Sequence, residues 1–188
     1  MGDILLMSGD IKGALNQYLK EAIDWPTSWY SAALIKFRAG DFMCACTYVR
    51  KGIAGNPYVA EGLTGRTFLT AHLYWHGTNS CDQAIDYLES IGNEWCDEEC
   101  DFVDWVFNSA PVLLERAALT DLHVALTVER DPERRGVKVT KKLSFIVGID
   151  DRLSKQIVRQ ITNRWGDKIW PWDRRGHAHS AAARASRN

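Results

Sequence analysis

A period of 31 residues near the start of the chain limits the fold more than any other feature. Gly9-Asp10 recurs as Gly40-Asp41, Ala14 as Ala45, and Pro26 as Pro57. Self-similarity at this length marks stacked helix pairs, each burying its apolar face against the next. The residue types suit the roles. Gly and Asp allow a tight turn and then cap the following helix. A small residue at the Ala position lets two helices approach closely. Pro ends one helix and opens another.

Residues 27–57 resemble a tetratricopeptide repeat. Trp29 stands where that family has its Trp, and Ala33 where it has its small packing residue. Gly40-Asp41-Phe42 occupies the turn, Ala45 the small position of the second helix, and Pro57 the close. The unit departs from the family at Lys36, where an aromatic is usual, and at Gly52, where Ala is usual. The preceding unit keeps only its second half, at Gly9-Asp10, Ala14, Tyr18 and Pro26. A third, more divergent unit opens at Asn56-Pro57-Tyr58-Val59. Its first helix is expected to run to about His76, with a turn over 77–80 and a partner helix over 82–90 that turns Ala84 and Leu88 inward. A fourth helical stretch starts at the acidic run 97–101, continues through Phe102, Trp105 and Val106, and is broken or restarted by Pro111.

The resemblance covers about half the chain. It implies an α-solenoid of about three helix pairs with a concave face that takes a helix or extended peptide. On that basis the candidate partner-binding residues are Trp29, Tyr30 and Phe37 on the second unit and Thr67, Thr70 and Tyr74 on the third. The incomplete first unit leaves an apolar edge at Ile4, Leu5, Leu6 and Met7, which predicts self-association or docking on a partner.

The net charge of −1 conceals a division. Residues 1–119 carry 8 Lys/Arg against 16 Asp/Glu, a balance of −8, and residues 120–188 carry 15 against 8, a balance of +7. The apolar period changes at the same place. Val124, Leu126 and Val128 alternate with polar or small residues, and so do Val137, Val139, Leu143, Phe145, Val147 and Ile149. Residues 130–136 between them are rich in turn formers. This pattern predicts a β-hairpin. The alternative is that residues 112–130 stay helical, which Leu113, Leu114, Ala117, Ala118, Leu122 and Leu126 permit. A helix follows, capped by Asp150 or Asp151, lined by Leu153, Ile157, Val158, Ile161 and Trp165, and ended by Gly166. Ile169-Trp-Pro-Trp172 is a short strand or an anchoring tail. The expected organisation is therefore mainly α: a helical-repeat domain over 1–119, a small basic α+β module of hairpin and helix over 120–172, and a disordered tail over 173–188.

Candidate chemistry is sparse. His72 and His76 share a helix face at zinc-binding spacing, but Leu73 stands where a metalloprotease has its Glu. Cys44, Cys46, Cys81, Cys96 and Cys100 do not form paired metal knuckles and read as reduced, small buried hydrophobes. The acids at 97–104 suit a helix start. No phosphate loop or catalytic triad stands out, so neither an enzyme nor a bound cofactor or metal is expected. No apolar run approaches the roughly 20 residues of a membrane helix, and a cytoplasmic protein is expected. The favoured reading is a non-catalytic scaffold or adaptor for a protein or peptide. The alternative is a nucleic-acid-associated regulator that binds phosphates through Arg134, Arg135, Lys138, Lys141, Lys142, Lys155 and Arg159.

Overall fold

The computed structural model describes residues 2–66, 80–163 and 166–173. Among these the chain forms ten α-helices and one two-stranded antiparallel sheet. The repeat becomes two helical hairpins: α1 (Gly2–Met7) with α2 (Ile11–Glu21), and α3 (Ser28–Arg38) with α4 (Phe42–Gly55). At the two turns Gly9 has φ +83° and Gly40 has φ +75°, a region that L side chains rarely enter. Asp10 then caps α2 by accepting from the Gly13 N–H at 2.9 Å, and Asp41 caps α4 by accepting from the Cys44 N–H at 3.2 Å. Ala14 and Ala45 are fully buried.

The two departures from the repeat pattern have local causes. Lys36 reaches across the turn to Asp41, Nζ to Oδ2 at 3.2 Å. At Gly52 an added Cβ would stand 2.7 Å from the Tyr30 ring, whose hydroxyl donates to the Asn56 carbonyl at 2.9 Å. The ring already fills the place of the usual methyl.

The helix that opens the third unit ends earlier than about His76. α5 (Pro57–Leu63) stops at Thr64-Gly65, where φ is +68° at the glycine. The remainder of the expected helix, with His72 and His76, lies outside the described residues. α6 (Cys81–Ile91) is capped by Ser80 and buries Ala84, as expected. α7 (Asp97–Asn108) and α8 (Ala110–Val128) follow, and Pro111 sits in the first turn of α8, so it restarts the helix. In a one-dimensional stack each unit touches only its neighbours. Here α4 packs on α3 and α5, and also on α7, α8, α9 (Pro132–Gly148) and α10 (Asp151–Ile157). The later helices close around α4.

The expected β-hairpin over 120–149 is not formed. Its two strands lie in α8 and α9, so the helical alternative for 112–130 is what the chain adopts. The turn-rich connector is a helix start: Asp131 accepts from the Glu133 N–H at 2.9 Å and Pro132 opens α9. The boundary expected at 119/120 falls inside the continuous α8. The two sides of that boundary share one core, because Ile157 and Trp172 pack with Phe37, Val49 and Phe102. α10 is capped by Asp150 but ends at Ile157, not at Gly166. Ile161, expected on its apolar face, is exposed and starts the sheet, in which Ile161 pairs with Ile169 and Thr162 with Lys168. That hairpin returns Trp172 to the core at 2 % exposure, with ring centroids 4.9 Å from Phe102 and 5.3 Å from Phe42. The tail over 174–188 and Trp165 lie outside the described residues. Among the described residues no helix is long and apolar enough to cross a membrane.

Candidate functional site

α8 and α9 form an antiparallel pair whose base is fixed to α4. Leu119 and Ile149 close on Ala54 there, with Leu122, Phe145 and Ile146 packed against them. Beside this apolar contact lies a polar one. The Arg50 side chain is 1 % exposed. Its Nε donates to Glu115 Oε2 at 3.1 Å and its Nη2 donates to the other Glu115 oxygen. Its Nη1 donates to the Asp150 carbonyl at 2.7 Å and to Ser154 Oγ at 2.8 Å. One guanidinium therefore ties α4 to α8 and to the start of α10. The planar fork of Arg matches a carboxylate in a way that Lys cannot. Thr47 adds a hydroxyl contact to Asp151 Oδ1 at 2.6 Å.

Further along the pair, His123 of α8 and Lys142 of α9 are both buried. Burial, and then the Lys142 charge, push His123 down to about 4. Burial brings Lys142 down to about 8. Lys138 crosses the pair to the Ala125 carbonyl at 2.9 Å and to Glu129 Oε2 at 2.8 Å.

The side of α8 away from these contacts is apolar and exposed. Leu114, Ala117, Val124 and Val128 follow one another at spacings of three, seven and four, so they share a face. Leu114 is 73 % exposed and Val128 69 %. Asp121 is the sole charge among the exposed residues of this helix. α9 exposes a shorter row, Val139, Leu143 and Val147, at spacings of four. Exposed apolar side chains that gather on one face, unlike those scattered singly, mark surface that a partner can cover.

Of the residues expected to bind a partner, the described ones do not lie here. Trp29, Tyr30 and Phe37 are buried. Trp29 packs on Tyr48 at 5.4 Å with the Lys51 ammonium over its ring, and Phe37 packs on Phe42, Phe102 and Trp172. These side chains build the core and offer no open groove. Thr67, Thr70 and Tyr74 lie outside the described residues. At the N-terminal edge the four apolar residues divide: Leu5 and Leu6 pack on the Ala14–Tyr18 cluster, while Ile4 and Met7 are exposed.

The basic residues are dispersed. Lys142 is buried, Lys138 is bound to Glu129, and Arg134 lies 3.7 Å from Asp131. Arg135 and Lys141 are exposed on α9, Lys155 is exposed on α10, and Arg159 is exposed just beyond it. The acids at 97–104 serve the fold. Glu99 accepts from Arg38 Nε at 2.8 Å and from the Cys96 N–H at 2.8 Å, and Asp104 accepts from Arg66 at 2.6 Å. Cys46 is buried and burial pushes its thiol up to about 12, whereas Cys96 is exposed, against expectation. At the start of α8 an apolar concavity of about 360 Å³ is lined by Trp105, Pro111 and Ile157, with the Trp105 indole N–H on the Ile157 carbonyl at 2.9 Å.

No protein-family model, curated protein or solved structure matches this chain. The α8 surface therefore stands on its own geometry. Sequence reasoning passed over Leu114, Val124 and Val128 as interface residues because it assigned two of them to a strand. The signal was present in the three-, seven- and four-residue spacing of Leu114, Ala117, Val124 and Val128.

Proposed function

We propose that this is a non-catalytic interaction protein that docks an amphipathic helix on the exposed face of α8. The observation that carries the reading is the apolar row Leu114–Val128 on a helix whose base is braced by a buried Arg50–Glu115 pair. Helix-in-groove recognition uses such anchors at i, i+3 and i+7. Ala117 allows close approach, and the concavity at Trp105 and Pro111 can receive one larger side chain at the row's end. The adaptor role expected from the repeat resemblance is retained, but it moves from the helix-pair region to α8. A repeat-type stacking of the first two hairpins then serves as the platform that holds α8.

The nucleic-acid alternative is the weaker of the two. Phosphate binding needs cations that converge on one surface, and three of the seven proposed cations are buried or engaged with acids of their own segment.

The test places a photo-crosslinking residue at Val124 in the intact chain and irradiates cells that express it. The expected result is a discrete protein adduct that disappears with Leu114→Asp. Irradiation that yields no protein adduct would sink the docking reading.

A further inference from the structure

The concavity at the start of α8 opens on the same helix face as the apolar row, because Ala110 in its wall is exposed and precedes Leu114 by four residues. Trp105 of α7 lines it and remains 37 % exposed, although an indole is costly to leave in water. The Trp105 N–H is bound to the Ile157 carbonyl at 2.9 Å, which ties the ring to the end of α10 and holds it as a fixed surface. Pro111 adds a second rigid ring to the wall. None of the lining residues is charged, in a chain with 25 % charged residues.

We propose that this pocket is the anchor site of the docking face and takes one neutral aromatic ring, the indole or phenol side chain of a Trp or Tyr on the partner helix. This rests on the reading of α8 as a docking face and names what the docked helix must carry. Size is the first argument. An apolar cavity of about 150 Å³ is enough for benzene, and this one holds about 360 Å³. A branched aliphatic side chain would leave much of it unfilled and forfeit the contacts on that side. A ring laid against Trp105 also gains more than its buried area alone supplies.

Charge is the second argument. The side chains that most often anchor an interface from within a pocket are Trp, Tyr and Arg. An Arg would need a carboxylate partner, and the lining supplies none. Asp104, one turn before Asn108 on α7, is engaged by Arg66 and by Asn108 itself. Hydrogen bonding is the third. An indole N–H or phenol O–H that enters the pocket needs an acceptor. The Asn108 amide already donates to Asp104 and the Ser109 hydroxyl to the Val106 carbonyl. Gln156 makes no hydrogen bond among the described residues, so its side-chain amide is the polar group on the wall left for a ligand.

N-acetyl-tryptophanamide, N-acetyl-tyrosinamide and N-acetyl-leucinamide, titrated in turn into the purified full chain, test the pocket. The Trp105 indole N–H is followed by NMR and assigned from its loss in Trp105→Phe. Both aromatic probes should shift this signal saturably with a Kd of about 1 mM, and the leucine probe should bind at least about fivefold more weakly. Gln156→Ala should weaken the aromatic probes several-fold, and Ala110→Phe, which sets a ring of the chain's own at the pocket, should abolish the shift. Both positions are exposed, so the far-ultraviolet circular dichroism should not change. Aromatic probes that give no saturable shift up to about 10 mM overturn the proposal, as does a leucine probe that binds as tightly as they do. The Val124 crosslink separates this proposal from the reading beneath it. Trp105→Leu and Ala110→Phe should each lower its yield several-fold, and the linked partner segment should carry a Trp or Tyr about four helical turns from the linked residue, the separation of Ala110 and Val124 on α8. An adduct indifferent to both variants, or a partner segment without Trp and Tyr, overturns the anchor and leaves the docking face standing. A wild type that yields no adduct sinks the docking reading itself, and the anchor with it.

Discussion

Arg50→Ala probes the polar brace directly. The substitution leaves the Glu115 carboxylate, the Asp150 carbonyl and the Ser154 hydroxyl without the donor they share. Removing one partner of a buried ion pair costs about 3–5 kcal/mol, because the other charge stays behind uncompensated. Glu115 keeps 15 % of its side-chain exposure, so water recovers part of the loss and the cost falls near about 3 kcal/mol. For a chain of this size each kcal/mol lowers Tm by about 2–4 °C, so the midpoint should fall by roughly 6–12 °C. Urea unfolding followed by circular dichroism gives the free energy, with an unchanged m-value expected. Arg50→Met with Glu115→Leu replaces the pair by apolar groups of similar volume and should recover all but about 1 kcal/mol, since such replacements are often neutral. A single-variant cost below about 1 kcal/mol, or a double variant whose loss equals the sum of the singles, would refute the clamp.

The remaining predictions concern the core and the arm. Trp172→Ala should cost about 3–5 kcal/mol and remove much of the near-ultraviolet dichroism, because the indole fills the space between Phe42 and Phe102; a loss under about 1 kcal/mol would detach the hairpin from the core. Gly52→Ala, usually favourable by about 1 kcal/mol inside a helix, should instead destabilise by about 1–2 kcal/mol against the Tyr30 ring; a gain in Tm would contradict the close approach. His123 has a folded pKa near 4, below its unfolded value of about 6.5. Its neutral form therefore contributes stability that is present above pH about 6.5 and is lost as pH falls toward 4, roughly 3 kcal/mol at most. Denaturation midpoints across that window measure the loss, and His123→Gln should flatten it. Lys142→Met removes one of the two causes of the shift, so an imidazole titration by NMR should place His123 higher; an unmoved titration would rule out the charge of Lys142 as a contributor.

The part of the fold legible in the sequence is the part set by local chemistry. Gly9-Asp10 and Gly40-Asp41 each encode a positive φ followed by a cap, and both occur within four residues of chain. The C-terminal half was misread because its β-branched residues alternate in sequence while the helix pair supplies the actual burial. Val124 and Val128 are exposed on a helix, so their alternation with polar residues carries no information about a buried strand face. The decisive local signal was Asp131-Pro132, a cap followed by Pro in the first turn, which starts a helix as well as it starts a turn. The closure of α7 to α10 around α4 was not legible at all. It depends on Arg50 and Thr47 meeting Glu115, Asp150 and Asp151, 65 to 104 positions away, and no period in the sequence records those meetings.

The brace and the docking face are linked through α4. The α8 face reaches α4 through Leu119, Ala54 and Arg50. Loosening Arg50 should weaken docking, because a mobile α8 must be ordered again on association, at about 0.5–1.5 kcal/mol for each side chain immobilised. Arg50→Ala, held well below its own unfolding midpoint, should therefore lower the yield of the Val124 crosslink several-fold, and Arg50→Met with Glu115→Leu should return it toward the wild-type value. A crosslink yield in Arg50→Ala equal to that of the wild type would show that α8 is positioned by its apolar base alone, and that the Arg50 network contributes to stability without orienting the docking face.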